Sequence, residues 1–367
     1  MVTKGSGCDI DLKARCCAAA VAAAQRTFGV RAGRPGEVQG RVAGGYAGVV
    51  RFGELRVAVT SDGIGTKIEL AERTGMYRTL GYDLVAMVVD DLAAGGAVPT
   101  TLTDVLDADV LDERVVAELM EGLAAAAAEA RVAVVGGEIA ELSGRIAGYG
   151  AGMHFNWCAT ALGYIPEGRE ALDGTAVRAG DEVVALASPG FRSNGFSLVR
   201  KVMEERFGAG WHDAEVTGTA GWNGRRWGEA LLEPSRIFCA AVERMFEEGL
   251  PVHGIAHVTG GGIPGKLGRV LRPNGLGAVL DHLLPPDGLV LRVQELGGIA
   301  EEEAYRLWNM GNGMMVVVER GAAERVVQCA AGFRIPARCA GRVTPGSGIV
   351  LQGRGCEGAR LEYSVGR

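Results

Sequence analysis

The alternating stretch Leu55-Arg56-Val57-Ala58-Val59-Thr60 runs directly into Ser61-Asp62-Gly63-Ile64-Gly65-Thr66-Lys67. Apolar residues at every second position predict a half-buried strand, so the heptapeptide stands at a strand's exit. Glycines there let backbone N–H groups approach a phosphate, Asp62 can hold a divalent cation, and Lys67 can neutralise what remains. The spacing matches neither the Walker loop nor the Rossmann fingerprint. An ordinary glycine turn leaving a strand is the competing reading of these seven residues.

A chain of 367 residues, 48% hydrophobic and 22% charged, is long enough for two domains with cores of their own. The net charge of −6, with no long basic run, argues against a nucleic-acid-binding surface. The 58 glycines follow no collagen period, which implies tight backbone approaches rather than disorder. Eight cysteines (Cys8, Cys16, Cys17, Cys158, Cys239, Cys329, Cys339 and Cys356) form no CxxC pair and no metal-ligand spacing. Reduced thiols in a cytoplasmic protein are therefore expected. Lys4, Asp9, Asp11 and Lys13 precede any apolar run, so no signal peptide is expected, and the patterning predicts no membrane span.

An alanine-rich helix is predicted near Leu12–Phe28, then a glycine-rich connector over Gly29–Gly48 carrying Arg31, Arg34 and Arg41. The connector reads either as a structural loop or as a lid or subunit contact. Leu80–Gly95 predicts a buried helix with Asp90 and Asp91 set among apolar residues. Buried carboxylates need compensation, which a cation shared with Asp62 would supply unless both face solvent. A strand at Thr100–Leu106 and a helix at Asp112–Arg131 follow. A short strand, Val132–Val135, then ends in Gly136-Gly137-Glu138, placing Glu138 where ligands collect in open α/β sheets. A further strand is predicted at Trp157–Gly163, and a domain boundary within the turn-rich Pro166–Gly180.

The second half restarts with a strand at Asp181–Ala187 and the loop Arg192-Ser193-Asn194-Gly195, which enters a helix at Phe196–Phe207. Ser and Asn there serve as helix caps or as an anion site. Leu232-Glu233-Pro234-Ser235-Arg236 opens another predicted helix, ending near Gly249. His257, Thr259 and the triplet Gly260-Gly261-Gly262 then stand between a strand and a helix, forming a phosphate-cradle candidate. Asn309-Met310-Gly311-Asn312-Gly313 precedes a late strand, Met314–Glu319.

These motifs, in this order, resemble the phosphoribosylformylglycinamidine cyclo-ligases, also called aminoimidazole ribonucleotide synthetases. The resemblance covers Gly7–Asp11, Ser61–Lys67, Gly81–Met87 with Asp91, Gly136–Glu138, Ser193–Lys201, Leu232–Ile237, Ala256–Gly262, Tyr305-Arg306 and Asn309–Met314. It implies an α/β (α+β) fold in two domains, with N-terminal sheets pairing into a barrel in a homodimer. The segments would be 1–48 (helix and connector), 49–165 (ATP and metal binding) and 175–365 (α/β substrate domain). The implied reaction uses ATP and magnesium, with potassium as a further candidate cation. It closes formylglycinamidine ribonucleotide to aminoimidazole ribonucleotide, releasing ADP and phosphate.

By the same resemblance Asp62, Asp91 and Glu138 would hold metal, with Asp90 assisting. Asp62, Gly63, Gly65, Thr66, Lys67, Asp90, Gly137 and Glu138 would meet the nucleotide. Arg192, Ser193, Asn194, Gly195, Arg236, His257, Thr259, Gly260, Gly261 and Asn309 would hold the substrate. Lys67, Arg192 and His257 are the catalytic candidates, with His257 expected to move a proton. The family usually carries His where this chain has Arg192, and a guanidinium clamps phosphate but does not act as a base near neutrality. A paralogue acting on another small molecule, or a nucleotide-binding non-enzyme, is the alternative those departures raise.

Overall fold

A computed structural model describes residues 10–39 and 45–365. Gly7, Cys8, Asp9, Arg41 and Gly44 lie outside the described residues. The first unit comprises α1 (Ile10–Gln25), β1 (Glu37–Val38), β2 (Gly48–Phe52), β3 (Leu55–Gly63), α2 (Ile68–Thr74) and α3 (Leu80–Ala94). It continues with β4 (Val98–Ala108), α4 (Glu113–Ala130), β5 (Ala133–Glu141) and β6 (Phe155–Ile165). Its sheet has the order β1-β2-β3-β6-β4-β5, antiparallel except for β4–β5, which α4 connects in parallel.

The second unit runs β7 (Glu182–Ala187), α5 (Phe196–Phe207), α6 (Trp227–Leu231), α7 (Cys239–Glu247), β8 (Val252–His257), α8 (Gly262–Leu271) and β9 (Leu276–Leu280). It then adds α9 (Gly288–Leu296), α10 (Glu301–Leu307), β10 (Asn312–Val318), α11 (Ala323–Gly332), β11 (Ala337–Pro345), β12 (Gly348–Gln352) and β13 (Arg360–Ser364). Its sheet is ordered β13-β12-β9-β11-β7-β10-β8. β10, paired between β7 and β8, is buried along its whole length, as expected for a strand covered on both faces.

Two predicted elements differ in extent. Gly136-Gly137-Glu138 lies inside β5 rather than beyond its end, because β5 keeps pairing with β4 from Thr103↔Gly136 to Ala108↔Glu141. The helix expected from Leu232 starts only at Cys239. Pro234 lacks the N–H a helix interior needs, and the carboxylate that accepts from the first amides comes from α3.

α3 is the helix on which the rest packs: every residue except Tyr82 and Asp91 is buried. It covers one face of the first sheet, where Ala58, Ala159, Ala161, Leu102 and Leu106 are buried beneath it. The opposite face carries Val57, Val59, Val105, Leu162 and Tyr164, which the strand registers place together. Val105, Leu162 and Tyr164 are exposed there. α3 meets α4 where Gly81 faces Gly122, and a Cβ at either glycine would overlap the backbone opposite. Gly81→Ala is expected to lower stability by about 1–3 kcal/mol, the usual cost of overpacking. A chemical-denaturation midpoint equal to wild type would contradict that close approach.

Candidate functional site

Asp83, Asp90 and Asp91 are spaced along α3 by seven and eight residues, two helical turns, so they share a face. That face looks at the second unit. Asp83 pairs through Oδ2 with Lys67 Nζ at 2.7 Å, and both side chains are fully buried. Its Oδ1 accepts from the Ser235 hydroxyl at 2.5 Å and the Ser235 amide at 3.1 Å. Lys67 also donates to the Glu233 carbonyl at 2.7 Å. Burial pulls the Lys67 pKa down, and Asp83 opposes the shift. Lys67 is therefore a strut between the units, its charge met by Asp83.

Asp90 Oδ1 accepts from the amides of Phe238 and Cys239 at 2.8 and 3.0 Å, capping the start of α7 from the other unit. Its Oδ2 lies 3.2 Å from Arg192 Nη2. The same nitrogen is 2.7 Å from His257 Nε2, and Arg192 Nη1 donates to the Arg236 carbonyl at 2.8 Å. His257 Nδ1 completes the line, 2.7 Å from Asp91 Oδ1. Burial drives the His257 pKa well below its ordinary value, and Arg192 pushes the same way. Burial also raises Asp91 to about 7 against the pull of Lys266, Arg269 and Arg192. Asp90 is raised by burial too, with His257 and Arg192 opposing. Both ring nitrogens of His257 are occupied, and the ring is fully buried. Asp90 is likewise enclosed, and in this structure it serves as a helix cap.

The loops before α5 and α8 adjoin this line. Gly195 has a left-handed φ of 79°, and a side chain there would strike the Trp308 indole. Asn194 reaches back to Met87 Sδ of α3 at 4.0 Å, and its Oδ1 lies 3.2 Å from where a Cβ on Gly260 would sit. Ser193 is buried, and its hydroxyl finds no hydrogen-bond partner among the described residues. Thr259 is buried beside them, while Gly260 and Gly261 are exposed. Gly262 packs on the Tyr305 carbonyl, but the Cβ position of Gly261 is open toward neighbouring elements apart from Gly265 at 3.8 Å. Two sequence-derived substrate contacts are occupied elsewhere. Asn309 ties Gly190 O and Gly311 N at 3.0 and 2.8 Å, and the Arg236 side chain donates to Ala187 O at 2.9 Å.

In the opening loop of the first unit, Asp62 accepts from its own neighbour, Gly63 N, at 2.8 Å. Gly63 lies against β6, where a Cβ would be 3.1 Å from Trp157 O, and Gly65 has a φ of 70° with open space around it. Thr66 Oγ1 lies 3.4 Å from Ser197 Oγ of α5, so this loop borders both units. Gly137 is a packing glycine: a Cβ there would stand 2.5 Å from Asp104 Oδ1, and Asp104 accepts from Trp157 Nε1 at 2.8 Å.

The expected metal triad is not assembled within one chain. Register places Asp62 beside Ala159 and Asp104 on the covered face, whereas Glu138 aligns with Val105 on the open face. With β6 and β4 between their strands, Asp62 and Glu138 are about 14 Å apart across the sheet. Asp91 is already engaged by His257. Among the described residues no group of three or more His, Cys, Asp or Glu side chains is placed to hold a metal ion. These residues do not fit a preformed three-carboxylate magnesium centre.

Asp83, Ser235, Asp104 and Tyr46 were given no role by sequence reasoning. Asp83 was the legible one, since its spacing to Asp90 and Asp91 marks a shared face. Tyr46 is buried, with its ring 5.6 Å from Lys266 Nζ on α8, and it brings the connector up to the same region. Lys67→Met is expected to cost about 3–5 kcal/mol by stranding the buried Asp83 carboxylate. The double replacement Lys67→Met/Asp83→Leu should recover part of that loss. Purely additive effects in denaturation would show that the pair is not coupled.

Residues 44–164 match the family described as AIR synthase related protein, N-terminal domain, and residues 178–354 match the corresponding C-terminal domain. The chain is 36% identical over 323 residues to the phosphoribosylformylglycinamidine cyclo-ligase of Thermococcus kodakarensis, covering 88% of this chain and 90% of that protein. It is 40% identical over 293 residues to the enzyme of the same name from Sorangium cellulosum, covering 78% and 80% respectively. Among solved structures, the HypE–HypF complex is similar in fold, with a TM-score of 0.63 at 18% identity, covering 89% of this chain and 94% of that one. The chain belongs to the phosphoribosylformylglycinamidine cyclo-ligase family.

Proposed function

We propose that this chain closes the imidazole ring of 5-aminoimidazole ribonucleotide from formylglycinamidine ribonucleotide, consuming ATP and releasing ADP and phosphate. The observation that carries the reading is the family relationship along 88% of the chain. The formyl oxygen attacks the γ-phosphorus, ADP leaves, and the oxygen becomes part of a phosphate leaving group. An internal nitrogen then attacks that carbon, and phosphate departs as the ring closes. Little covalent work falls to the protein in such a transfer, so positioning and electrostatics dominate.

The adjoining starts of α5 and α8, with Ser193, Asn194, Thr259, Gly260 and Gly261, hold the anionic end of the ribonucleotide. ATP lies along Asp62, Gly63, Gly65 and Thr66, the opening loop that borders the second unit at Thr66. Magnesium enters this reading only as the counterion of ATP, and no step is assigned to it. The open apolar face of the first sheet is the surface through which two copies pair as a homodimer. The described cysteines are all free, which suits a reducing cytoplasm. Among the described residues no helix is long and apolar enough to cross a membrane.

In a coupled assay, ADP release is expected to depend on formylglycinamidine ribonucleotide. ATP binding without turnover on that substrate would overturn the proposed activity. Sedimentation is expected to give a dimer for wild type and a shift toward monomer for Leu162→Asp, which puts a charge at the centre of the open face. A wild-type monomer at micromolar concentration would remove the pairing.

A further inference from the structure

We propose that Arg192 is a positioning residue, which holds His257 as the neutral Nδ1–H tautomer and thereby fixes the orientation of the Asp91 carboxylate. The proposal rests on the cyclo-ligase reading for its kinetic consequence, but not for its geometry.

The argument begins with donors and acceptors. A guanidinium has N–H groups only and never accepts a hydrogen bond. Arg192 Nη2 stands 2.7 Å from His257 Nε2, so that ring nitrogen must supply the lone pair. The single proton of a neutral imidazole is then on Nδ1, which is 2.7 Å from Asp91 Oδ1, an acceptor. Each contact has a donor facing an acceptor in this arrangement alone. The opposite tautomer would set N–H against N–H at Arg192 and a bare nitrogen against a carboxylate at Asp91.

The line also has a direction. It is anchored at the Arg236 carbonyl, 2.8 Å from Arg192 Nη1, in the segment leading to α7. Asp90 on α3 pairs with the guanidinium at 3.2 Å. The side chains of Arg192 and His257 are fully buried, whereas that of Asp91 is 16% exposed. Asp91 is therefore the one member of the line that is reachable from outside, and the two groups behind it act through it. Arg192 itself has a left-handed φ of 56°, a conformation that a bulky residue holds only when its surroundings over-determine it. Simple neutralisation of Asp90 would need one cation and no defined fork. Three acceptors from three separate segments, met by one side chain, specify more than charge.

The test uses the full chain with 15N-labelled histidine. The wild-type His257 signals are expected to show the neutral Nδ1–H pattern, with Nε2 unprotonated. Arg192→Gln, whose amide can present either a donor or an acceptor, is expected to give mixed tautomers. Its kcat in ADP release should fall about 10–100-fold, as when a partner that orients a functional side chain is removed. KM for ATP should stay within about twofold. Arg192→Lys keeps the charge and N–H donors on a single nitrogen, and should restore the tautomer and part of kcat. A wild-type Nε2–H or imidazolium pattern would overturn the proposal whether or not the variants fold. So would an Arg192→Gln protein with unchanged spectrum and kcat. Absence of wild-type turnover would defeat the cyclo-ligase reading instead, and the spectrum would still decide the tautomer.

Discussion

Buried charge on α3 is the constraint on which the two-unit structure depends. A helix covered on nearly every side would normally be apolar all round, because an uncompensated carboxylate in such a place costs several kcal/mol. α3 instead carries Asp83 and Asp90 fully buried and Asp91 nearly so. Their partners come largely from the second unit: Ser235, the Phe238 and Cys239 amides, Arg192 and His257. Lys67, from the first unit, reaches across to the Glu233 carbonyl. Apolar packing alone would let two sheets slide by fractions of an ångström. Directional pairs between buried charges do not, so the loops preceding α5 and α8 are held in one place relative to the opening loop.

The same interface explains why the glycine motifs carry more than one meaning. Gly63, Gly137, Gly195 and Gly262 are glycines because backbone or side-chain atoms occupy the place of a Cβ. Gly65 and Gly261, by contrast, have little around the place of a Cβ, which leaves room for a ligand beside them. A string of glycines therefore mixes packing and binding positions. Neighbours distant in sequence decide which is which, and those neighbours are Asp104, Trp157, Trp308 and Tyr305.

Much of the fold was legible because its signals are local. The alternation in β3, the buried run of α3 and the loop-to-helix boundary at Phe196 follow from periodicity and turn chemistry. The β5 end was misplaced because glycines usually break strands, and only its pairing with β4 carries the strand onward. In the site, the premise that Asp90 and Asp91 need compensation was sound. Its source was not readable, since Arg192, His257 and two amides lie a hundred or more residues away in sequence. The partner of Lys67 was not readable either: a lysine beside glycines gives no sign of Asp83, sixteen residues on, with which it pairs.

Arginine suits the centre of this arrangement in a way no other cation does. The planar fork of Arg192 offers several donors at fixed angles, and it satisfies a carboxylate, an imidazole nitrogen and a carbonyl together. A histidine there would have two nitrogens for three partners and would share the protonation problem of His257 beside it. A lysine would bring a point charge without the fork. The strained φ of Arg192, worth of order 1–3 kcal/mol, is tolerable because those three contacts and the Phe238 ring, 5.1 Å from the guanidinium carbon, all favour the same geometry. The departure at this position is thus tied to the neutrality of His257. A cation that cannot lose its proton sits against an imidazole nitrogen that must stay unprotonated, and the proton left on the ring points at Asp91, the partly exposed member of the line.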